Sequence, residues 1–281
     1  TGTSSYYSAL KDATEEPVLK QVCTKIAADE FRHYKLFYEH LRRCLQRDRL
    51  SRWKRLRIGG IEPFSISDWP GRLAAVVFVQ GCPWRCSYCH NPELLDATTP
   101  AEMDWPQVLA FLRKRQGLLD GVVFSGGEPT LQAGLPQALE QVRALGFATA
   151  LHTGGMYPER LAAVLPLLDW VGLDIKGPEH RYADITGVPG SGARAFESLT
   201  LLQASPVAFE CRTTWHAGLY EAQELQALGD QLAGRGVRHW AVQVCRHVPG
   251  APDVTPSTVA APVGAQIPRF EVRGGQRGAV G

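Results

Sequence analysis

The alternation of short β-branched runs with helical segments between Ile61 and Val244 restricts the fold more than any other feature of this 281-residue chain. The apolar runs are Leu73–Val79, Gly121–Phe124, Ala148–Leu151, Trp170–Leu173, Val207–Glu210 and His239–Val244. Segments of helical spacing fall between them, near Trp105–Arg115, Pro136–Leu145, Glu159–Leu167, Ala195–Gln203 and Ala222–Ala233. Repeated strand–helix units predict a parallel sheet with helices outside it. Six such units predict an α/β fold, a partial (βα)6 barrel, whose site lies at the C-terminal ends of the strands.

The flanking regions differ from this core. Residues 1–55 read as helical: Pro17 follows the polar Thr14-Glu15-Glu16, where a first helical residue is expected, and Leu19, Val22, Cys23, Ile26, Phe37, Leu41 and Cys44 recur at helical spacing. Lys54–Gly60 reads as a linker. The barrel is expected over 56–246, and 247–281, rich in Gly, Pro, Ala and Val, is expected to be poorly ordered. Apolar residues at 44% support a real core, and a formal charge of +2 does not call for nucleic acid. The basic run Arg42–Arg57 is read as a solvated face or linker, with no nucleic acid expected. No stretch approaches the roughly 20 apolar residues of a membrane span, and no export signal is visible. The seven cysteines, three of them clustered, favour metal or redox chemistry in a reducing, cytoplasmic setting. The chain starts at Thr1 rather than Met, so an incomplete or fused reading frame is expected.

That cluster follows the first strand of the alternation: Gln80-Gly81-Cys82-Pro83-Trp84-Arg85-Cys86-Ser87-Tyr88-Cys89-His90-Asn91. Three thiolates this close repel one another unless a cation or cluster holds them. Three ligands on a four-iron cluster leave one iron open for a substrate, as a catalytic metal keeps one position free. Three rival readings stand beside this one. Cys86-Ser87-Tyr88-Cys89-His90 fits the c-type haem attachment pattern, but that leaves Cys82 idle and belongs to exported proteins. The cysteines with His90 also make a ligand set for structural zinc. The plainest alternative is that the cysteines are simply buried on one helical face, which fits poorly beside Pro83 and directly after a strand.

The spacing Cys82-x3-Cys86-x2-Cys89, with Tyr88 before the third cysteine, resembles the signature of the radical S-adenosylmethionine (SAM) superfamily. Gly60–Gly71 (GIEPFSISDWPG) and His90–Leu94 (HNPEL) resemble one branch of it, the activating proteins of anaerobic ribonucleoside-triphosphate reductase. The resemblance covers roughly Ile58 to Arg246 and implies a radical SAM partial barrel, a [4Fe–4S] cluster on Cys82, Cys86 and Cys89, and SAM as cofactor. It further implies a cytoplasmic enzyme that cleaves SAM reductively and generates a glycyl radical on the anaerobic reductase, its electron coming from a donor such as flavodoxin. The alternatives kept open are a small-molecule substrate in modified-nucleoside biosynthesis, and an iron-binding protein acting through its N-terminal helices.

Further candidates sit at successive strand ends. Ser125-Gly126-Gly127-Glu128-Pro129 lets backbone approach a ligand closely and offers Glu128 to a cationic amine. It resembles the family's GGEP motif, which implies contact with the amino group of SAM. His152 opens His152-Thr153-Gly154-Gly155 after the third strand. Asp174-Ile175-Lys176 resembles the D-x-K of glycyl-radical activases, implying SAM contacts for Asp174 and Lys176. Arg212 is a candidate carboxylate clamp, and His216 and the Arg246-His247 pair are weaker candidates. In the N-terminal region Glu30 and His33 share a stripe with Ile26 and Phe37. Glu-x-x-His is a di-iron ligand pattern of ferritin-like bundles, and Ala13–Leu41 resembles the last helix of one. With no second copy in the chain, such a site needs another chain or a partner.

Overall fold

The computed structural model describes residues 12, 16–26, 28, 56–101, 103–245 and 263–274. The chain divides into two compact units, Thr1–Lys54 and Arg55–Gly281. In the first, residues 17–26 are helical from Pro17 onward. The Glu16 carboxylate accepts from the amides of Val18 (3.2 Å) and Leu19 (2.5 Å), satisfying donors that a helix start leaves open. Glu30 and His33, on which the di-iron expectation rests, lie outside the described residues, as do Arg246 and His247.

The second unit is an eight-stranded sheet in strict sequence order, β1 to β8. Its strands are β1 (Ile58–Ser65), β2 (Ala74–Val79), β3 (Gly121–Gly126), β4 (Ala148–Thr153), β5 (Trp170–Asp174), β6 (Ala208–Trp215), β7 (His239–Val244) and β8 (Arg269–Gly274). β1 pairs antiparallel with β2, and every later pairing is parallel. The connections carry helices α1 (Trp105–Arg113), α2 (Leu135–Ala144), α3 (Pro158–Val164), α4 (Tyr182–Thr186), α5 (Ser191–Gln203) and α6 (Ala222–Gly234). α1 shows how local sequence sets a boundary. Asp104 accepts from the Gln107 amide (3.0 Å) while the Gln107 side chain accepts from the Asp104 amide (2.9 Å), a capping box ahead of Pro106. Among the described residues no helix is long and apolar enough to cross a membrane.

Period-two alternation gives the sheet two different faces. One face packs on the helices through Val77, Phe124, Leu151, Leu173, Cys211 and Trp240. The concave face holds Val76, Val123, Ala150 and Trp170, closed at the N-terminal ends of the strands by Trp69, which stacks on Trp170 at 6.1 Å. Residue spacing along β4 to β7 then lifts His152, Asp174, Arg212, Thr214 and Gln243 above this apolar floor, at the C-terminal ends.

Two expectations need correction. The end of the stretch read as a linker, from Ile58 to Gly60, is the start of β1. Its Gly59 sits where an added Cβ would come within 2.2 Å of Leu94, and the register shifts between Ile58 and Gly60. Glycine within a strand here marks close approach and an irregular ladder, not a linker. The tail read as poorly ordered supplies β8. Glu210, fully buried on β6, reaches across β7 and receives Arg273 of β8 through both guanidinium arms (2.7 and 2.8 Å), with His239 2.9 Å away. No local periodicity announces a strand whose stabilising partner lies 63 residues earlier.

A buried carboxylate stripped of its cation is strongly destabilising, by about 3–5 kcal/mol. Arg273→Met is therefore expected to lower the unfolding free energy by roughly that amount, and the double variant with Glu210→Gln to recover part of it. Urea denaturation of the three proteins checks both.

Candidate active site

Everything at the site hangs from the junction of β2 and β3. The Gly127 amide donates to Val79 O (2.9 Å) and the Glu128 amide to Gly81 O (2.9 Å). A Cβ on Gly127 would sit 2.3 Å from Gly81 O, and Gly126 holds φ at 106°, so this turn accepts glycine alone. The two glycines thus serve close approach, as the sequence suggests, but part of what approaches is the cysteine loop itself. That loop is tied again where it returns, by Gly81 N to Leu94 O (2.7 Å) and Cys82 N to Leu95 O (3.1 Å). Arg85 fastens its middle, donating from its backbone to Thr186 O (2.8 Å) and from Nη1 to Trp84 O (2.8 Å).

Cys82, Cys86 and Cys89 are all partly exposed to one cavity of about 260 Å³. The same cavity is lined by Tyr88, Gly126, Gly127, Glu128, His152, Asp174, Lys176 and Arg212, so the chain brings these sequence candidates together at one place. His216 is the exception. It is fully buried, its Nδ1 accepts from the Gly218 amide (2.9 Å), and it is not among the cavity residues. The physical reason is the end of the strand: position 216 has the parity of the inward Arg212 and Thr214, but β6 stops at Trp215 and His216 lies in the turn toward α6. Residues not singled out from sequence also line the cavity, chiefly Asp68, Trp84, Ser125, Thr214 and Gln243. Stepping by two from Arg212 would have found Thr214; Asp68 is visible in sequence only within the family-like stretch Gly60–Gly71, and it arrives through the β1–β2 turn.

The charged groups neutralise one another. Asp174 Oδ2 accepts from Lys176 Nζ (2.9 Å) and Oδ1 from Arg212 Nε (3.1 Å). Burial would raise this carboxyl, but the two cations overrule it and hold it well below the usual carboxylate range. Burial acts on Lys176 in the downward direction; Asp174 and the nearby Tyr88 and Cys86 outweigh it and keep the ammonium charged. Lys176 Nζ also lies 5.8 Å from the centre of the Tyr88 ring. Glu128 is fully engaged: Oε1 accepts from the Thr130 amide (3.0 Å) and the hydroxyls of Thr130 (2.5 Å) and Thr153 (2.8 Å), and Oε2 from the Gly154 amide (2.9 Å). Its side chain is thus a tie between the ends of β3 and β4, with burial pushing its carboxyl upward. Arg212, expected as a carboxylate clamp, spends its Nε on Asp174 and sets Nη1 3.0 Å from His152 Nε2.

His152 lies between these groups. Its Nε2 is 2.7 Å from Asp68 O, and its Nδ1 is 3.2 Å from the Ser125 hydroxyl. A neutral ring donating from Nε2 to that carbonyl and accepting from Ser125 at Nδ1 satisfies both. Burial, and next the Arg212 guanidinium, lower its pKa to about 4, against the opposing pull of Asp68.

Burial pushes the Cys82 thiol up to about 12 and the Cys86 thiol in the same direction. With protons on them these sulfurs are poor ligands, so whatever they bind must supply the positive charge that displaces those protons. Among the described residues no three His, Cys, Asp or Glu side chains group as ligands of a single ion. A cluster spreads its thiolates over different irons and asks for no such convergence. Three soft donors on one wall of a cavity fit an iron–sulfur cluster with one iron left for a ligand. The tyrosine hydroxyl beside them, Tyr88 Oη, is buried without a partner among the described residues.

Residues 76–213 match the Radical SAM superfamily. With the parallel sheet and the cysteine loop described above, this match makes the chain similar to the radical SAM superfamily, whose members use a [4Fe–4S] cluster and SAM. Among its relatives are proteins named as glycyl-radical enzyme activating enzymes. One from Methanocaldococcus jannaschii is 27% identical over 179 residues, 60% of this chain and 72% of its own length. The pyruvate formate-lyase-activating enzyme of Clostridium pasteurianum is 37% identical over 147 residues, 50% of this chain and 60% of the relative. A 7-carboxy-7-deazaguanine synthase of Thermococcus kodakarensis is 33% identical over 154 residues, 47% and 60% of the two chains. The fold is similar to that of Streptococcus suis SuiB bound to S-adenosylmethionine, with a TM-score of 0.55 at 13% identity over 70% of this chain and 48% of SuiB.

Two outcomes follow from this geometry. Gly127→Ala is expected to displace the Gly81 carbonyl and with it the cysteine loop, so that anaerobic reconstitution loads far less iron and sulfide than the unaltered chain; metal analysis and visible absorbance measure this. His152 has a folded pKa of about 4 against an ordinary 6.5, so the unfolded chain takes up its proton first. Stability contributed by the neutral ring is present above pH 6.5 and is lost as pH falls toward 4, at up to about 1.4 kcal/mol per pH unit. Denaturant melts between pH 7 and 4.5 should show that slope, reduced by one proton in His152→Gln.

Proposed function

We propose that this chain is a glycyl-radical-activating enzyme, generating a glycyl radical on anaerobic ribonucleoside-triphosphate reductase. The observation that carries the reading is the meeting of Cys82, Cys86 and Cys89 with Gly126-Gly127, Asp174 and Lys176 around one cavity. Relatives named as activating enzymes support the activation class. The likeness of Gly60–Gly71 and His90–Leu94 to reductase activators supports the particular partner.

The three cysteines hold the cluster. When bound, cluster and SAM together supply one-electron cleavage of the sulfonium and hydrogen-atom abstraction from the substrate. The chain's own contribution is to position and to shield. Asp174 and Lys176, fixed against each other at 2.9 Å, offer an anchored anion and cation to the polar end of a zwitterionic amino acid. The turn at Gly126-Gly127 brings backbone to the same place. Trp84, Met156 and Phe78 supply apolar wall that keeps water from the reacting centre.

A second reading, a small-molecule substrate in modified-nucleoside biosynthesis, is favoured by one observation, the 33% identity to a 7-carboxy-7-deazaguanine synthase. Anaerobic reconstitution separates the two. The expected result is methionine and 5′-deoxyadenosine on reduction, together with a glycyl radical signal in electron paramagnetic resonance on addition of the reductase. Replacing Cys82, Cys86 or Cys89 by Ala should abolish both. SAM cleavage without any radical on the reductase, or on pyruvate formate-lyase offered in parallel, would reject activation and leave the nucleoside reading.

A further inference from the structure

The charged residues of the cavity are committed to one another, which leaves the question of what holds the substrate. Asp174 lies between Lys176 and Arg212, the Glu128 carboxylate accepts four hydrogen bonds, and His152 is neutral with both nitrogens engaged. Two lining side chains differ. Thr214 and Gln243 face each other on adjacent strands as register partners, both are partly exposed, and neither side chain has a hydrogen-bond partner among the described residues. The next position across the sheet, Arg273, is fully spent on Glu210 and Glu271. Thr214 lies one inward step, about 6.6 Å along the strand, beyond Arg212. β7 stands five strands away from β2, which launches the cysteine loop, so the curved sheet sets this rung on the opposite wall from the sulfurs.

We infer that Gln243, aided by Thr214, positions the substrate by pairing with a peptide group of an extended backbone. This rests on the activation reading above and adds the residue that selects and aligns the polypeptide. A primary amide presents N–H and C=O side by side in one plane, the complement of a peptide group, and the Thr214 hydroxyl can give or take a third bond. Neither residue carries charge, so the rung offers nothing to a carboxylate or phosphate in preference to water. A nucleobase edge also complements a primary amide. The Phe and Trp/Tyr side chains of the cavity, however, lie on the β2 and cysteine-loop side (Phe78, Trp84, Tyr88), so that among the described residues no such ring lies on β7 beside Gln243 for a base to stack on. A backbone lying on this rung can bring a glycine nearest the strand floor, where a side chain would hold other residues away.

The test uses the full chain, reconstituted anaerobically with iron and sulfide and supplied with SAM and reductant. The probes are acetylated pentapeptide amides with a central glycine dideuterated at Cα, and matched esters in which oxygen replaces one peptide N–H at a time. Deuterium transfer into 5′-deoxyadenosine is the readout. In the unaltered chain one ester position is expected to lower kcat/KM about tenfold, chiefly through KM, the effect of about one hydrogen bond. Gln243→Leu should treat that ester and its amide alike within about twofold, whereas Gln243→Glu, which keeps an acceptor oxygen, should retain the preference. Undiminished discrimination in Gln243→Leu overturns the assignment. So does an unaltered chain in which every ester matches its amide, a result independent of whether the variants fold. Cleavage of SAM with no deuterium transfer from any peptide, or displacement of peptide by a free purine, also overturns it while leaving the radical SAM reading intact. Failure of the unaltered chain to cleave SAM sinks both.

Discussion

The site depends on a contact between two backbones that no side chain may enter. The cysteine loop leaves β2 through Gly81 and is received by the turn at Gly126-Gly127, where the spacing to Gly81 O excludes a Cβ. Four backbone hydrogen bonds, from Gly127, Glu128, Gly81 and Cys82, tie the loop's departure and return to one patch of structure. A loop closed at both ends loses much of the conformational freedom that would otherwise have to be given up on binding a cluster. Thiols that burial holds in their protonated form are then presented by a fixed frame, and a cluster binding there would have only to displace protons, not to order a chain.

Above that frame the cavity is polar but close to electrically balanced. An isolated ion in such a place would be costly, and the structure meets this cost by local pairing. Asp174 receives two cations, Glu128 receives four donors, and His152 remains without charge because of its burial and, next, the Arg212 guanidinium 3.0 Å from its Nε2. The consequence reaches function. Groups already satisfied need little rearrangement when a ligand arrives, and their dipoles act in a site where water is scarce. The same pairing on β6 to β8, where Glu210 takes Arg273, secures the strand that completes the sheet on its far side.

Much of this was legible in the sequence, and the parts that were not share a cause. The strand His239–Val244 falls where its apolar run predicts, and β2 to β5 begin within a residue of expectation, because a strand buried on both faces writes itself as a continuous apolar stretch. β1 and β8 were missed because they lie at the two ends of the sheet. Pro63 and a glycine pair interrupt the former, and alternating charges (Arg269, Glu271, Arg273) disguise the latter until Glu210 is placed opposite. At the site, residues within recognisable motifs were found and their neighbours in space were not. Asp68 is read from sequence only as part of a family-like stretch, yet its carbonyl sets the orientation of His152 across 84 residues. His216 was proposed on chemistry alone, and the end of β6 turns it away from the cavity.

Parity along β6 connects these observations. Once Glu210 is fixed inward by Arg273, residues 212 and 214 must face inward too, and 211, 213 and 215 must face the helices. The orientation that delivers Arg212 to Asp174 is therefore reinforced by an interaction one inward step earlier on the same strand. Trp240 donates to Thr213 Oγ1 at 2.9 Å on the outer face, locking the same register from behind. A one-residue slip would replace Arg212 and Thr214 at the cavity with Cys211, Thr213 and Trp215. The buried Glu210–Arg273 pair, next along the strand from Arg212, thus acts as a specifier of the site: it helps decide which side chains of β6 line the cavity.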